Sequence, residues 1–192
     1  YDLNILKKHN HVYFTLSNNL ILIYNDVRRF GFLKIYNTKR LNDIKFINKL
    51  GIEPLSKSFN IVYFVKKIVK KKKNIKNLLM DQTFVSGLGN IYVNEALFLA
   101  RINPLRKCKT IKILEIKKLI FSIKSVLKSS ITKGGSSIKD FKNSSGESGT
   151  FQQFFTVYGK HNENCSRNSC NGKVKKIYIA KRSSFYCNKC QK

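Results

Sequence analysis

Four of the five cysteines fall in the last 28 residues, at Cys165, Cys170, Cys187 and Cys190, in the spacing C-x4-C-x16-C-x2-C. Two close pairs separated by a hairpin's length of chain can bring four sulfurs to one point. That is the pattern of a tetrahedral zinc site. The intervening residues 174–181 (VKKIYIAK) and 183–187 (SSFYC) have the β-branched and aromatic content of two strands folding back on each other. Two disulfides are the alternative, but no secretory signal opens the chain. The expected cofactor is therefore one Zn2+, in a structural role, because four thiolates leave no open coordination position. So short a segment cannot build a large core, and metal binding would supply its folding energy. Cys108 stands alone and reads as an ordinary packed or surface thiol.

Charge narrows the function. Thirty-eight Lys and Arg against ten Asp and Glu give a net charge of +28 in 192 residues. Such a surplus favours polyanions, and nucleic acid leads because phosphate contacts dominate its affinity for basic proteins. A composition rich in Lys, Asn and Ile throughout is the plainer explanation, and ribosomal or membrane-surface roles share the charge signal. Residues 157–192 alone carry nine Lys or Arg against one Glu. Carboxylates are scattered, so no two-metal nuclease site is suggested. The three histidines show no zincin spacing, and no Walker or dinucleotide glycine pattern occurs. No apolar run approaches the roughly 18 residues of a membrane span.

Along the chain, residues 11–37 (HVYFTLS, NLILIYND, GFLKIYN) predict three antiparallel strands, with a hairpin turn at Asn18-Asn19. Between the second and third lies Asp-Val-Arg-Arg-Phe-Gly at 26–31. Arg28 and Phe30 there can form an exposed tip able to enter a base stack, or Phe30 can pack inward. Residues 40–56 form a connector with Gly51 and Pro54. Helical patterning covers 61–72, 75–83, 91–100 and 110–132. The glycine turn Ser-Gly-Leu-Gly-Asn at 86–90 precedes one of these helices. It is either a plain helix–helix turn or a phosphate site at a helix start, with Lys76 one helix earlier able to converge on the same anion. Residues 134–150 are Gly/Ser-rich and read as a surface loop, a lid or a linker.

Taken in order, the sheet remnant, Arg-Arg-Phe-Gly, Gly-Leu-Gly-Asn-Ile-Tyr, Gly-Gly-Ser-Ser, Val-Tyr-Gly and the four-Cys hairpin resemble the formamidopyrimidine-DNA glycosylase family, repair enzymes for oxidised purines. The resemblance covers nearly the whole chain. It implies an α+β fold: part of an N-terminal antiparallel β-sandwich (1–48), a helix–two-turn–helix DNA-binding domain (49–156) with a lesion-capping loop (134–150), and a β-hairpin zinc finger (157–192). It implies a glycosylase and lyase that flips the damaged nucleotide, attacks the sugar with an N-terminal proline amine through a Schiff base, and cuts by β,δ-elimination.

Carried over, His9, Arg28, Phe30, Lys72, Lys76 and Asn90 fall at DNA-contacting positions, with Arg28 and Phe30 filling the vacated stack. Glu95, Ser136, Ser137 and Thr150 fall at the lesion pocket and its closing loop. Arg182 falls where the finger grips the lesion phosphates and donates the proton for δ-elimination. Cys165, Cys170, Cys187 and Cys190 fall at the zinc ligands. The implied partner is double-stranded DNA carrying oxidised bases, bound by a monomer that is not membrane-associated, in a bacterial-type cytoplasm at the nucleoid.

Three departures stand out. Tyr1-Asp2 cannot replace the Pro-Glu start, so residues 1–192 are expected to bind DNA without excising a base. The first cysteine pair is C-x4-C where the family usually has C-x2-C. Gly149-Thr150-Phe151 replaces Gly-Tyr-Phe in the loop. An endonuclease VIII-like enzyme for oxidised pyrimidines, a non-catalytic zinc DNA-binding remnant and a basic ribosome-associated zinc protein are the rivals.

Overall fold

A computed structural model of the chain describes residues 8–69, 71–138 and 146–192. It divides into two compact units, Tyr1–Ile44 and Lys45–Lys192.

The first unit holds one antiparallel hairpin, β1 (Asn10–Thr15) and β2 (Ile21–Asn25), with Val12 opposite Tyr24 and Thr15 opposite Ile21. The turn falls where expected. Asn19 takes φ 62°, a left-handed conformation that asparagine tolerates better than most residues. The third strand expected from GFLKIYN does not form: among the described residues, 31–37 pair with nothing as a strand. Strand propensity is a fit to a half-buried surface and does not create a strand without a neighbour to take its N–H and C=O groups. Phe32, Leu33 and Ile35 are accordingly exposed, as are Leu20 and Leu22 on β2 and its turn. Of the expected sandwich, the described residues contain this single two-stranded sheet.

The second unit is helical. After the four-residue α1 (Lys45–Asn48) come α2 (Ile61–Ile68), α3 (Ile75–Leu79), α4 (Asn90–Leu99) and α5 (Ile113–Thr132). Asparagines start two of them: the Asn60 side chain accepts from the Tyr63 N–H, and Asn74 from the Asn77 N–H. Such caps satisfy donors that have no partner inside the helix. At α5 the Glu115 carboxylate takes the Lys112 N–H at 2.8 Å and pairs with Arg106.

Helix α4 is the hub. Six of its ten residues are buried, Asn94 and Glu95 among them, so it is enclosed nearly all round. One side packs on α3 and α5, in a core that includes Phe59, Phe64, Leu78, Phe84, Leu97 and Ile123. Its other side receives the hairpin β3 (Val174–Ile179) and β4 (Arg182–Cys187), where Phe98 meets Val157, Val174 and Phe185. The cysteine hairpin and the helices therefore share one unit.

Candidate nucleic-acid interface and metal centre

Residues 86–90 begin the site. Gln82 shapes this turn: its Oε1 accepts the Gly87 N–H at 2.7 Å, and its Nε2 donates to the Leu88 carbonyl at 3.3 Å. Gly87 sits at φ 76°, which favours glycine. Gly89 then caps α4 with no side-chain hydrogen bond, and a Cβ at either glycine would meet nothing within 4 Å. The first N–H groups of α4 thus face an open approach, the usual condition for anion binding at a helix start.

The hairpin tip meets this helix start. Asn90 Nδ2 donates to the Ser183 carbonyl at 3.0 Å, and so does Lys76 Nζ, also at 3.0 Å. Lys76 makes a second bond to Ser184 Oγ at 2.6 Å. One turn further along α4, Asn94 Oδ1 accepts the Phe185 N–H at 2.7 Å. Three side chains from α3 and α4 thus fix the start of β4, which carries the exposed Arg182. Lys76 is only 1% exposed. Burial, with the charge of Arg182, pushes its ammonium down to about 8. Its place is behind the tip, not on an open surface. Lys72 is exposed, in the segment between α2 and α3.

The turn joining β3 to β4 is Ala180-Lys181, with φ 48° and 60°. Two positive φ values make the mirror-image turn that suits hairpin twist, but Asn-Gly is the pair that adopts it readily. Here an alanine and a lysine hold it beside Arg182.

Glu95, expected near the lesion pocket, is 3% exposed. Its Oε1 accepts the N–H groups of Val157 and Tyr158 at 3.0 and 2.8 Å. Its Oε2 accepts the Thr156 N–H at 2.8 Å and the Thr156 hydroxyl. The carboxylate has four donors and no free acceptor for a base; it ties α4 to the start of the finger. Ser136, Ser137 and Thr150 lie at the stem of the Gly/Ser loop. Ser136 and Thr150 form an antiparallel bridge, and Ser137 Oγ accepts the Gly149 N–H at 2.8 Å. The middle of that loop, 139–145, lies outside the described residues.

In the first unit, Asp26 builds the Arg-Arg-Phe-Gly tip. Oδ1 accepts the N–H groups of Arg28 and Arg29 at 3.1 and 2.9 Å; Oδ2 accepts the Gly31 N–H at 2.7 Å and the Tyr24 hydroxyl at 3.2 Å. The Gly31 N–H foremost, then Tyr24 and the two arginine N–H groups, hold its carboxyl below the usual range. The clamp pushes Phe30 outward, 85% exposed, so the inward packing of this ring is excluded. His9 is close by, its carbonyl accepting the Asp26 N–H at 2.9 Å.

The four cysteines converge as their spacing requires, all Sγ atoms lying within 4.8 Å of one another. Cys165 and Cys190 are 3.8 Å apart and Cys170 and Cys187 3.7 Å. Tetrahedral zinc with bonds of about 2.3 Å requires sulfur–sulfur edges of about 3.8 Å. All four are free thiols, so the two-disulfide alternative is not realised. Gly172 completes the cradle: a Cβ there would lie 2.7 Å from Cys187 Sγ. Burial tends to raise Cys187, yet the N–H groups of Cys190 and Lys189 and the neighbouring thiols bring it to about 7, while burial and the same neighbours push Cys190 up to about 12. A thiol set in which one charge suppresses the next is fully deprotonated only by a cation. The residues fit a structural metal ion of zinc's preferences.

Among the described residues no helix is long and apolar enough to cross a membrane. Sequence reasoning missed Asn94, Asp26 and the buried tasks of Lys76 and Glu95. Adjacent polar residues inside the apolar run IYVNEALFLA were the available signal, because buried polar groups must find partners.

A model of the formamidopyrimidine-DNA glycosylase H2TH domain matches residues 50–142. Formamidopyrimidine-DNA glycosylase of Rickettsia bellii is 46% identical over 187 residues, 97% of this chain and 67% of that protein. The Roseobacter denitrificans protein of the same name is 42% identical over 97% of this chain, which spans 66% of its length. Among solved structures, a Lactococcus lactis Fpg mutant in complex with Fapy-dG containing DNA superposes with a TM-score of 0.85 at 37% identity, covering 94% of this chain and 65% of that one. MutM (Fpg) from Thermus thermophilus gives 0.85 at 31% identity, covering 96% and 69%. At this identity and coverage the chain belongs to the formamidopyrimidine-DNA glycosylase family.

Proposed function

We propose that residues 1–192 are the DNA-gripping and lesion-recognising part of a base-excision DNA glycosylase with lyase activity on oxidised purines, 8-oxoguanine and formamidopyrimidines among them. The observation that carries this is the joint at Ser183, where Lys76 and Asn90 fix the base of Arg182 beside an uncapped helix start. That arrangement offers backbone N–H groups and the Arg182 guanidinium to the phosphates flanking one nucleotide, with the buried Lys76 ammonium holding the tip from behind. Phosphate contacts of this kind set register and orientation on a duplex. Arg28 and Phe30 supply the second requirement, a cation and an exposed ring to occupy the gap left by an extruded base. Lys72 and His9 add contacts to the backbone, and the loop stem at Ser136, Ser137 and Thr150 carries the cover of the extruded base. Glu95 holds residues 156–158 against α4.

In the complete reaction, an amine attacks the sugar and Arg182 delivers the proton that completes δ-elimination. Zinc on Cys165, Cys170, Cys187 and Cys190 stabilises the hairpin and takes no part in bond breaking. The protein acts as a monomer on double-stranded DNA, at the nucleoid of a bacterial cytoplasm.

Fluorescence anisotropy with duplexes carrying 8-oxoguanine, a tetrahydrofuran abasic analogue or no lesion tests this reading. Tighter binding of the lesion duplexes is expected, with Arg182→Ala and Arg28→Ala removing most of the preference. Equal affinity for all three duplexes would sink lesion recognition, and preference for thymine glycol would reassign the substrate to oxidised pyrimidines.

A further inference from the structure

We propose a second phosphate-binding site, at the opposite end of the zinc hairpin from Arg182. A cavity of 150 Å3 lies beside the first cysteine pair, lined by Arg101, Arg167 and Lys189 with Ser169 and Asn171. Its volume admits one phosphate group. The strands of the hairpin run six residues from the Ala180-Lys181 turn to this end, about 20 Å at about 3.3 Å per residue, so the cavity is separate from the tip.

The lining is cationic and donor-rich, and none of the lining residues is acidic. Arg167 lies in the four-residue spacer between Cys165 and Cys170. Its guanidinium stacks over the Phe98 ring at 4.7 Å, and Nη2 donates to the carbonyls of Phe98 and Leu99 at 2.8 and 3.1 Å. Those bonds fix the guanidinium at the end of α4. They leave Nε buried with no partner, which is uncommon for a donor of its strength. Arg101 follows α4 at φ 61°, a left-handed residue held by its N–H to the Phe98 carbonyl. Lys189 donates to Asn171 Oδ1, which leaves the Asn171 amide N–H groups as donors.

Composition does not explain this cluster. The chain is rich in lysine but has seven arginines, and two of them line this one small cavity. Nor does the metal centre consume the charge. Cys170 and Cys190 border the cavity, and zinc on four thiolates carries a net charge of about −2, which three cations outweigh. A fixed guanidinium, two further cations and neutral donors form a phosphate site by charge and by hydrogen-bond count. The phosphate can be a free anion or a backbone phosphate of a strand running past this end of the finger.

The test uses zinc-loaded, 15N-labelled residues 1–192, titrated with inorganic phosphate at constant ionic strength, and separately with a ten-nucleotide thymidine strand without terminal phosphates. The expected result is a saturable shift of Arg167 Nε–H and of the amides of 167–171 and 187–190. Arg101→Gln with Lys189→Gln should weaken it at least tenfold, and Lys128→Gln with Lys175→Gln, which removes equal charge elsewhere, should not. Saturation by inorganic phosphate assigns a free anion, and a response to the strand alone assigns a backbone phosphate; either supports the site. Shifts spread evenly over the basic surface, equal losses in both double variants, or loss of zinc from the Arg101/Lys189 variant would overturn it. The last would show that these cations serve only the thiolates. Lesion-duplex affinity, read at Arg182, reports on the proposed function separately.

Discussion

Glu95→Gln isolates the task of one buried carboxylate. The substitution keeps size and shape and replaces one oxygen by NH2. Both oxygens face donors: Val157 and Tyr158 N–H at Oε1, Thr156 N–H and hydroxyl at Oε2. Whichever way the amide turns, its NH2 meets a backbone N–H, and at least one buried N–H loses its partner, at about 1–3 kcal/mol. The remaining bonds pass from charge-assisted to neutral, losing roughly half their strength. Relief from burying a charge offsets part of this. A net loss of about 3 kcal/mol is expected, which for about 150–250 residues lowers Tm by about 6–12 °C. Thermal unfolding followed by circular dichroism measures it, with the exposed Glu163→Gln as a control expected within about 0.5 kcal/mol of wild type. Because Glu95 offers nothing to a base, lesion preference per folded molecule should be unchanged below the transition. A Tm shift under about 2 °C together with altered lesion preference would refute the clamp and return Glu95 to the lesion pocket.

Gly172→Ala places a Cβ 2.7 Å from both Cys187 Sγ and Lys189 Cβ, so zinc affinity should fall at least tenfold in competition with a chelating dye; unchanged affinity would mean the cradle is looser than its geometry. Replacing Ala180-Lys181 by Asn-Gly relieves two left-handed residues and should add about 1–2 kcal/mol to stability in urea titration, with no gain if these φ values carry no strain. Lys76 is held near 8 against an ordinary 10.5, so between those values the unfolded chain binds more protons and this group makes stability rise with pH. Lys76→Met should abolish that rise, seen as the difference in urea midpoint between wild type and variant from pH 7.5 to 10.5; a parallel pair of profiles would contradict it. Asp81 is held down to about 2, chiefly by the Lys73 ammonium and then by the Thr83 hydroxyl. Its contribution is complete above its ordinary 3.8 and is lost as pH falls toward 2, and Asp81→Asn should flatten that acid limb.

What the sequence revealed and what it hid divide along the length of chain between partners. The thiol cradle was legible because ligand spacing is local and the intervening residues read as two strands. Helix α5 was legible within a few residues because apolar periodicity reports the face a helix buries, and α4 because its apolar run restarts after the glycine turn at 86–90. Strand propensity in residues 31–37 was equally legible but insufficient, since pairing needs a neighbour that local sequence does not name. The joint at the hairpin tip was hidden for a related reason. Lys76 and Asn90 meet Ser183 across 107 and 93 residues, and Asn94 meets Phe185 across 91. Motif reading placed Lys76 and Asn90 at the phosphates, converging on the same anion. The geometry makes them parts of one support whose output is the placement of Arg182. Glu95 shows the same at the other end of the finger: a carboxylate in an apolar helix must be saturated, but only the fold determines whether its donors come from a ligand or from residues 156–158. A resemblance transfers residue identities; the division between residues that touch a ligand and residues that hold those in place is set by burial and long-range hydrogen bonds.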